Sequence, residues 1–130
     1  MTDQANRTRG RRENPKTTLG RRGEEAAARY LLGLGWQIID RNWRCPAGEL
    51  DLVARDGAHL VVCEVKTRST LRFGTPAEAI DHAKARRLRR LAERWATEHG
   101  YGGGTVRIDV IGLLAGTRGQ YAVDHLRAVC

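Results

Sequence analysis

The sequence predicts an α/β domain whose elements follow the order helix, three strands, helix, two strands (αβββαββ). The chain has 130 residues, 41% of them hydrophobic, which suits one compact core and leaves too little chain for two ordinary domains. Two stretches repeat apolar residues at helical spacing, and shorter stretches bounded by turn signals are rich in branched and aromatic residues. The sequence shows no internal repeat and no second domain.

The N-terminal segment is polar, contains four Arg and one Lys, and has no apolar periodicity. We therefore expect residues 1–16 to be a disordered basic arm and residues 17–130 to be a single folded domain. The arm either contacts a polyanion or is a loose terminus, and both interpretations stay open.

The first helix is indicated by apolar residues at helical spacing after Thr18, which is a good N-terminal cap. Gly33 and Gly35 are its stop signals. On a helical wheel, Glu24 falls at the margin of the apolar stripe and Glu25 falls outside it. We expect Glu24 to border the core and Glu25 to be solvated.

Three antiparallel strands should follow this helix. The dipeptide Asp56-Gly57 predicts a tight hairpin turn between the second and third strands, and such a turn would pair Arg55 with Ala58. The segments that read as these strands are "WQIIDRNWR", "ELDLVAR" and "HLVVCEVKTR".

The second helix is predicted to begin near Pro76 and to end at Gly100. Lys84 and Arg87 fall within its apolar arc, where Lys84 either extends past the sheet edge or reaches over the acidic residues toward phosphate. An arginine-rich outer face either is solvated or contacts a nucleic-acid backbone. This face carries Arg86, Arg89, Arg90 and Arg94. The final two strands are "VRIDVIGLL" and "YAVDHLRAV".

Side-chain alternation sets the direction of the acids on the second and third strands. With the predicted turn, Asp51 lies opposite Val62 and Glu49 lies opposite Glu64. Asp51, Glu64 and Lys66 would then emerge on one face of the sheet, with Asp51 and Glu64 as diagonal neighbours about 7 to 8 Å apart at the backbone.

Clustered carboxylates repel one another and need a cation or a proton among them. Ligation by oxygen alone suits Mg²⁺ or Mn²⁺, which also bridge to phosphate. Lys66 would lie beside such a site, where it can orient or help deprotonate an attacking water or offset charge on the reacting phosphate. This chemistry is that of phosphodiester hydrolysis.

The charge of the chain fits a polyanionic partner. The formal net charge is +8, and all but three of the 23 basic residues are Arg. A basic surface attracts phosphate polyanions, although a charge excess can also simply promote solubility. The rare lysines merit attention because an ammonium group, unlike a guanidinium, has a pKa that its surroundings can move. The residues expected to contact nucleic acid are Lys84, Arg68, Arg86, Arg87 and Arg90.

Cysteine usage and hydropathy exclude several other classes of protein. The three cysteines are far apart and form no CxxC pair, and the four histidines show no metal-ligand spacing, which argues against a disulfide framework and a zinc site. No apolar run approaches the roughly 18 to 20 residues of a membrane span, and no apolar signal segment follows the basic N-terminus. We expect a cytoplasmic protein without a membrane partner.

Two levels of resemblance add to this interpretation. The sequence "GELD", whose Asp51 is followed thirteen positions later by the Glu64 of "CEVK", resembles the PD-(D/E)xK nuclease motif. Five blocks together resemble the YraN-type family of small bacterial proteins, which is similar to archaeal Holliday junction resolvases. The resemblance covers Leu19 to Leu126. The blocks are "GRRGEEAAARYL", "RNWRCPAGELDLVARDG", "VVCEVKTR", "AIDHAKARRLRRLA" and "VRIDVIGL".

The resemblance implies a restriction-endonuclease-like fold, with a mixed five-stranded sheet flanked by helices. It also implies that Asp51 and Glu64 bind metal, that Lys66 is the catalytic lysine, and that Glu24 completes the metal site from the first helix. Leu50 stands where the motif name has proline.

Each candidate residue also has a structural alternative. Lys66 could form a strand-end ion pair with one acid, and Glu24 could interact with the helix dipole. Glu49 is either an auxiliary ligand or a solvated strand-end residue. We expect Asp109 to pair with an Arg, and the tryptophans to lie in the core.

The sequence therefore favours a metal-dependent DNA nuclease, with branched or otherwise structured DNA as a candidate substrate. A binding protein that retains the nuclease fold without turnover, and an interaction protein with an acidic partner, are the alternatives. A homodimer would supply the two sites that a cut through both strands of a junction requires.

Overall fold

The computed structural model describes residues 15–70, 80–101 and 105–129. Residues 1–14 of the arm expected at 1–16, and the predicted start of the second helix near Pro76, lie outside these ranges. None of the helices in the described ranges combines the length and the apolar character that crossing a membrane demands. The elements are α1 (Pro15–Gly33), β1 (Gln37–Cys45), β2 (Gly48–Asp56), β3 (His59–Arg68), α2 (His82–Glu98), β4 (Val106–Ala115), a short 3-10 turn (Thr117–Gly119) and β5 (Tyr121–Leu126).

The five strands form one mixed sheet in the order β1-β2-β3-β4-β5. Neighbouring strands are antiparallel except β3 and β4, which are parallel and are connected through α2. The predicted element order and the mixed five-stranded sheet flanked by helices are confirmed, and this architecture is compatible with a restriction-endonuclease-like fold.

A separate apolar cluster covers each face of the sheet. On one face, Leu31 of α1 packs with Cys63 of β3 and Ile111 of β4. On the other face, Trp95 of α2 packs with Val62 of β3. The two helices therefore lie on opposite sides of the sheet, and the alternating side chains of β3 are buried on both.

The first helix begins at a different residue from the one that the sequence pattern predicts, whereas the predicted start of the second helix lies outside the described residues. The helix α1 begins at Pro15 rather than at Thr18, because proline's fixed φ and missing N–H suit the first turn of a helix. The helix α2 begins at His82, where the carboxylate of Asp81 accepts a hydrogen bond from the Lys84 backbone N–H at 2.8 Å.

The hairpin between β2 and β3 has a different register from the predicted one. Asp56 pairs with His59, so Gly57 and Ala58 form the two-residue turn. Gly57 has a φ of +61° and Ala58 is outside the positive-φ region, which matches a type II′ turn with glycine at its first central position. The register therefore moves by two residues, which leaves each side chain on its predicted face.

Candidate functional site

The pairing of β2 with β3 ends just before the candidate acids. It runs from Asp56 opposite His59 to Leu52 opposite Cys63. One further step would set Asp51 opposite Glu64. Instead, Oδ2 of Asp51 accepts a hydrogen bond from the backbone N–H of Val65 at 2.8 Å. A side-chain carboxylate thus takes the position of a main-chain acceptor, and the two strands separate at this end of the sheet.

Asp51 and Glu64 form a buried acidic pair at this separation. Their exposed fractions are 9% and 8%. Burial, followed by the negative charge of Glu64, raises the pKa of Asp51 to about 7, although the Val65 hydrogen bond acts in the opposite direction. The effect of Glu64 on the pKa of Asp51 is consistent with the convergence of the two carboxylates that side-chain alternation predicts.

Two lysines from different elements contact the same oxygen of Glu64. Lys66 Nζ, from β3, lies 3.4 Å from Glu64 Oε2. Lys84 Nζ, from α2, lies 3.5 Å from that atom, so Lys84 reaches the acidic residues as one of its two predicted orientations requires. Burial, and then the neighbouring Lys66, lower the pKa of Lys84. The charge of Glu64 is thereby balanced from within the chain.

Glu24 approaches the same acids from α1. Burial, and then the charge of Glu49, raise the pKa of Glu24, while a side-chain hydrogen bond with Asn42 acts in the opposite direction. Asn42 has a φ of +52°, close to a register irregularity of β1. Glu24 is half-buried at the margin of the core, as the helical wheel predicted, and Glu25 is exposed.

Gly23 is what allows α1 to bring Glu24 so close to the sheet. A Cβ atom added to Gly23 would lie 1.9 Å from Oγ1 of Thr67 on β3. Only a residue without a side chain permits this approach. Gly23 is buried, and it directly precedes Glu24.

Glu49 stands at the outer edge of the group. It pairs with Arg44 of β1, whose Nε lies 3.0 Å from Glu49 Oε1, and half of its side chain is exposed. Glu49 nevertheless contributes to the raised pKa values of Glu24 and Asp51. Its position combines features of both predicted alternatives, since it is solvated and close to the acids.

The basic residues expected to contact nucleic acid differ in their surroundings. Arg86, Arg87 and Arg90 are exposed on α2, which for Arg87 differs from the apolar arc predicted by the helical wheel. Arg89, predicted on the outer face, is partly buried and donates a hydrogen bond to the Val106 carbonyl. The buried strip of α2 keeps Leu88, Leu91 and Trp95 of the predicted apolar arc and adds Ala85, Ala92 and Ala96.

The oxygen atoms of Asp51 and Glu64 suit a hard divalent cation chemically, although the two residues alone do not form a complete binding cage. Asp51 and Glu64 offer only oxygen atoms, and a cation would relieve their repulsion. Among the residues that the structure describes, however, no three Asp, Glu, His or Cys side chains are grouped so as to hold a metal ion. An ion would therefore be held by few protein oxygens, the mode of binding that Mg²⁺ commonly adopts.

A third buried acid, Asp109, is part of a separate network on the α1 face. Arg107 donates two hydrogen bonds to it, at 3.0 and 3.1 Å, as the expected Arg pairing requires. His125 Nε2 lies 2.8 Å from Asp109, and His125 Nδ1 lies 2.8 Å from the Tyr30 hydroxyl. The Ala128 N–H also donates to Asp109. Burial alone would raise the pKa of Asp109, but these donors outweigh that effect and lower it.

Sequence reasoning missed three parts of these sites: Asn42, the Gly23 approach to Thr67, and the link between Tyr30 and His125. A glycine inside a helical pattern was the available signal for Gly23. Tyr30 and His125 are 95 residues apart in the chain, so no local pattern could join them.

Comparison with known proteins places these residues in a family context. A model of the uncharacterised protein family UPF0102 matches residues 23–113, a range that contains Glu24, Asp51, Glu64, Lys66 and Lys84. The chain is 54% identical over 114 residues to a UPF0102 protein of Nocardioides sp., covering 88% of this chain and 92% of the relative. It is 56% identical over 112 residues to one of Frankia alni, covering 86% and 93%. For one of Streptomyces coelicolor the identity is 52% over 118 residues, covering 89% and 91%.

Proposed function

This chain belongs to the uncharacterised protein family UPF0102, the YraN-type group, and from the geometry of its site we propose that it is a metal-dependent nuclease that hydrolyses phosphodiester bonds in DNA. The observation that carries the proposal is the contact of Lys66 and Lys84 with a single oxygen of Glu64, beside a second buried acid, Asp51. Acids for a cation and ammonium groups for a phosphate thus occur together.

This combination of two buried acids and two lysines does not by itself favour folding. Buried carboxylates repel one another, and each lysine loses hydration to reach Glu64. Surface solubility does not require this arrangement, whereas metal-assisted hydrolysis of a phosphodiester uses both a cation site and positive charge toward the non-bridging oxygens. Binding of a phosphate by both lysines would explain why they contact one buried acid.

In this proposal, Asp51 and Glu64 hold Mg²⁺ or Mn²⁺, and Glu24 assists from α1. A bound ion would act as a Lewis acid toward the phosphate. Lys66 orients the attacking water and donates to a phosphate oxygen, while Lys84 offsets the charge that develops as the P–O bond breaks. Asn42 holds the Glu24 side chain in position through its hydrogen bond.

Charge supports DNA as the substrate class. The net charge is +8, and Arg86, Arg87 and Arg90 expose guanidinium groups along α2. These groups can follow phosphates without reading bases, which suits an enzyme that recognises the shape of branched DNA. A homodimer would bring two such sites to one junction.

One observation favours a second candidate, a nucleic-acid-binding protein without turnover. The two lysines already balance Glu64, and no three-residue metal group is formed within the described residues. A protein that only binds phosphate would need the lysines and could do without the ion.

The deciding experiment measures cleavage of labelled single-stranded, duplex, flap and four-way-junction DNA with Mg²⁺, Mn²⁺ or chelator. Wild type is compared with Lys66→Ala and with Arg55→Gln, an exposed arginine on β2. Nuclease activity predicts metal-dependent cutting that Lys66→Ala abolishes, with DNA binding retained and Arg55→Gln unchanged. Binding of the panel without cutting under any condition would reject the nuclease and support the binding protein.

A further inference from the structure

Arg68, the last residue of β3, has a buried donor that finds no partner among the described residues. Its Nε is enclosed, and it makes no hydrogen bond within the part of the chain that the structure describes. The residue as a whole is only partly buried. Leaving a buried N–H without an acceptor destabilises a protein, because the group has lost its hydrogen bonds to water. An acceptor that arrives with a ligand would remove this penalty.

Arg68 points to the same side of the sheet as Lys66 and Glu64. Thr67, between them, faces α1, since it is the residue that Gly23 approaches. Side chains alternate along a strand, so Lys66 and Arg68 both face the side of α2. They are separated by about 6.6 Å along β3, two steps of about 3.3 Å each. This spacing is comparable with that of consecutive phosphates on one nucleic-acid strand.

We propose that Arg68 binds the phosphate adjacent to the one held by Lys66 and Lys84, so that the site takes a strand with two consecutive phosphates. The inference rests on the proposed function and specifies its substrate. The guanidinium fork can donate from Nε and a terminal nitrogen to two oxygens of one phosphate. The ligand that satisfies Arg68 Nε is therefore the neighbouring phosphate of the DNA strand.

The first test is the salt dependence of binding to a fluorescent single-stranded oligonucleotide in the presence of chelator. Each phosphate contact to a single strand contributes about 0.7 to the slope of log K against log salt concentration. Arg68→Gln should lower the slope by about 0.7. Arg68→Lys should keep it, because the charge remains.

Arg55→Gln is the matched control. It removes the same charge from a position that pairs with Leu60, eight residues and about 26 Å along β3 from Arg68. Its slope should equal that of wild type. If Arg68→Gln and Arg55→Gln give the same slope, or if Arg68→Lys loses slope as Arg68→Gln does, the Arg68 contact is refuted while the proposed function stands.

The second test uses small substrates with Mn²⁺. Thymidine 5′-(p-nitrophenyl phosphate) carries one phosphate, and its 3′-phosphorylated and 3′-linked dinucleotide forms carry two. For wild type, kcat/KM should be at least about tenfold higher for the better two-phosphate substrate than for the one-phosphate substrate, a preference of about 1.4 kcal/mol. Arg68→Gln should reduce the ratio of these two kcat/KM values toward one. Cleavage without any preference between the forms would overturn the inference alone. If the wild-type protein neither binds nor cleaves DNA, the proposed function and the inference are both overturned.

Discussion

Gly23 of α1 and Thr67 of β3 approach each other so closely that a methyl group on Gly23 would lie 1.9 Å from Thr67 Oγ1. This contact determines how near the first helix comes to the sheet beside Glu24 and Lys66. We expect Gly23→Ala to lower the free energy of unfolding by about 1–3 kcal/mol, because helix and strand must move apart. Urea unfolding followed by circular dichroism measures the change.

Gly20 of the same helix provides the control. Nothing lies within 4 Å of a Cβ atom at that position, so Gly20→Ala should stabilise the protein by about 0.5–1 kcal/mol through helix propensity. Equal effects of the two substitutions would show that the approach to Thr67 does not constrain the helix.

The acidic pair predicts a pH-dependent stability. The pKa of Asp51 is about 7 in the folded protein and 3.8 ordinarily, so between these pH values the native state binds more protons than the unfolded state. The free energy of unfolding should therefore fall as pH rises from about 4 to about 7. Asp51→Asn removes this penalty. We expect it to stabilise the metal-free protein by about 1–3 kcal/mol at pH 8 and by little at pH 4.

Thermal unfolding with chelator at several pH values checks this expectation. Glu93→Gln removes a charge from the exposed face of α2 and should show no such pH trend. A stability difference for Asp51→Asn that stays constant across the pH range would contradict the buried pair.

Asp109 should behave in the opposite sense. Its pKa is lowered in the folded protein, so its contribution is present above the ordinary value of 3.8 and is lost as pH falls below it. Asp109→Asn should destabilise the protein by about 3–5 kcal/mol near neutral pH. The reason is that Arg107 and His125 lose the charge of Asp109, which is fully buried. The difference from wild type should shrink in acid. A loss below about 1 kcal/mol at pH 7 would mean that the network contributes little.

Lys66 and Lys84 should couple through Glu64. Either Lys66→Met or Lys84→Met alone leaves the acid with one lysine, so each should change stability by about 1 kcal/mol or less. The double variant leaves a buried carboxylate without a cation and should lose about 1–2 kcal/mol more than the sum. A double-mutant cycle by urea unfolding measures this excess. Repeating the cycle with Glu64→Gln should abolish it, and additive effects with Glu64 intact would exclude the shared contact.

The sequence pattern was sufficient for the order of the elements and for the faces of β2 and β3, because both follow from local periodicity. It placed the hairpin turn at Asp56-Gly57, whereas glycine occupies the first central position of the turn, at Gly57-Ala58. That difference is a choice between two turn types that flanking residues do not determine. The contact between Lys84 and Glu64 depends on how α2 packs against the sheet. The helical wheel predicted only the two possible directions of the Lys84 side chain.

The hydrogen bond from Val65 to Asp51 has a consequence for how activity data on this protein should be interpreted. The same carboxylate that would bind a cation also closes the end of a β-ladder, so a deletion of its side chain changes architecture and chemistry together. Asparagine keeps an oxygen that can accept from Val65, whereas alanine does not. A silent Asp51→Ala protein would therefore be ambiguous between a lost reaction and an opened sheet, and only the amide replacement isolates the charge.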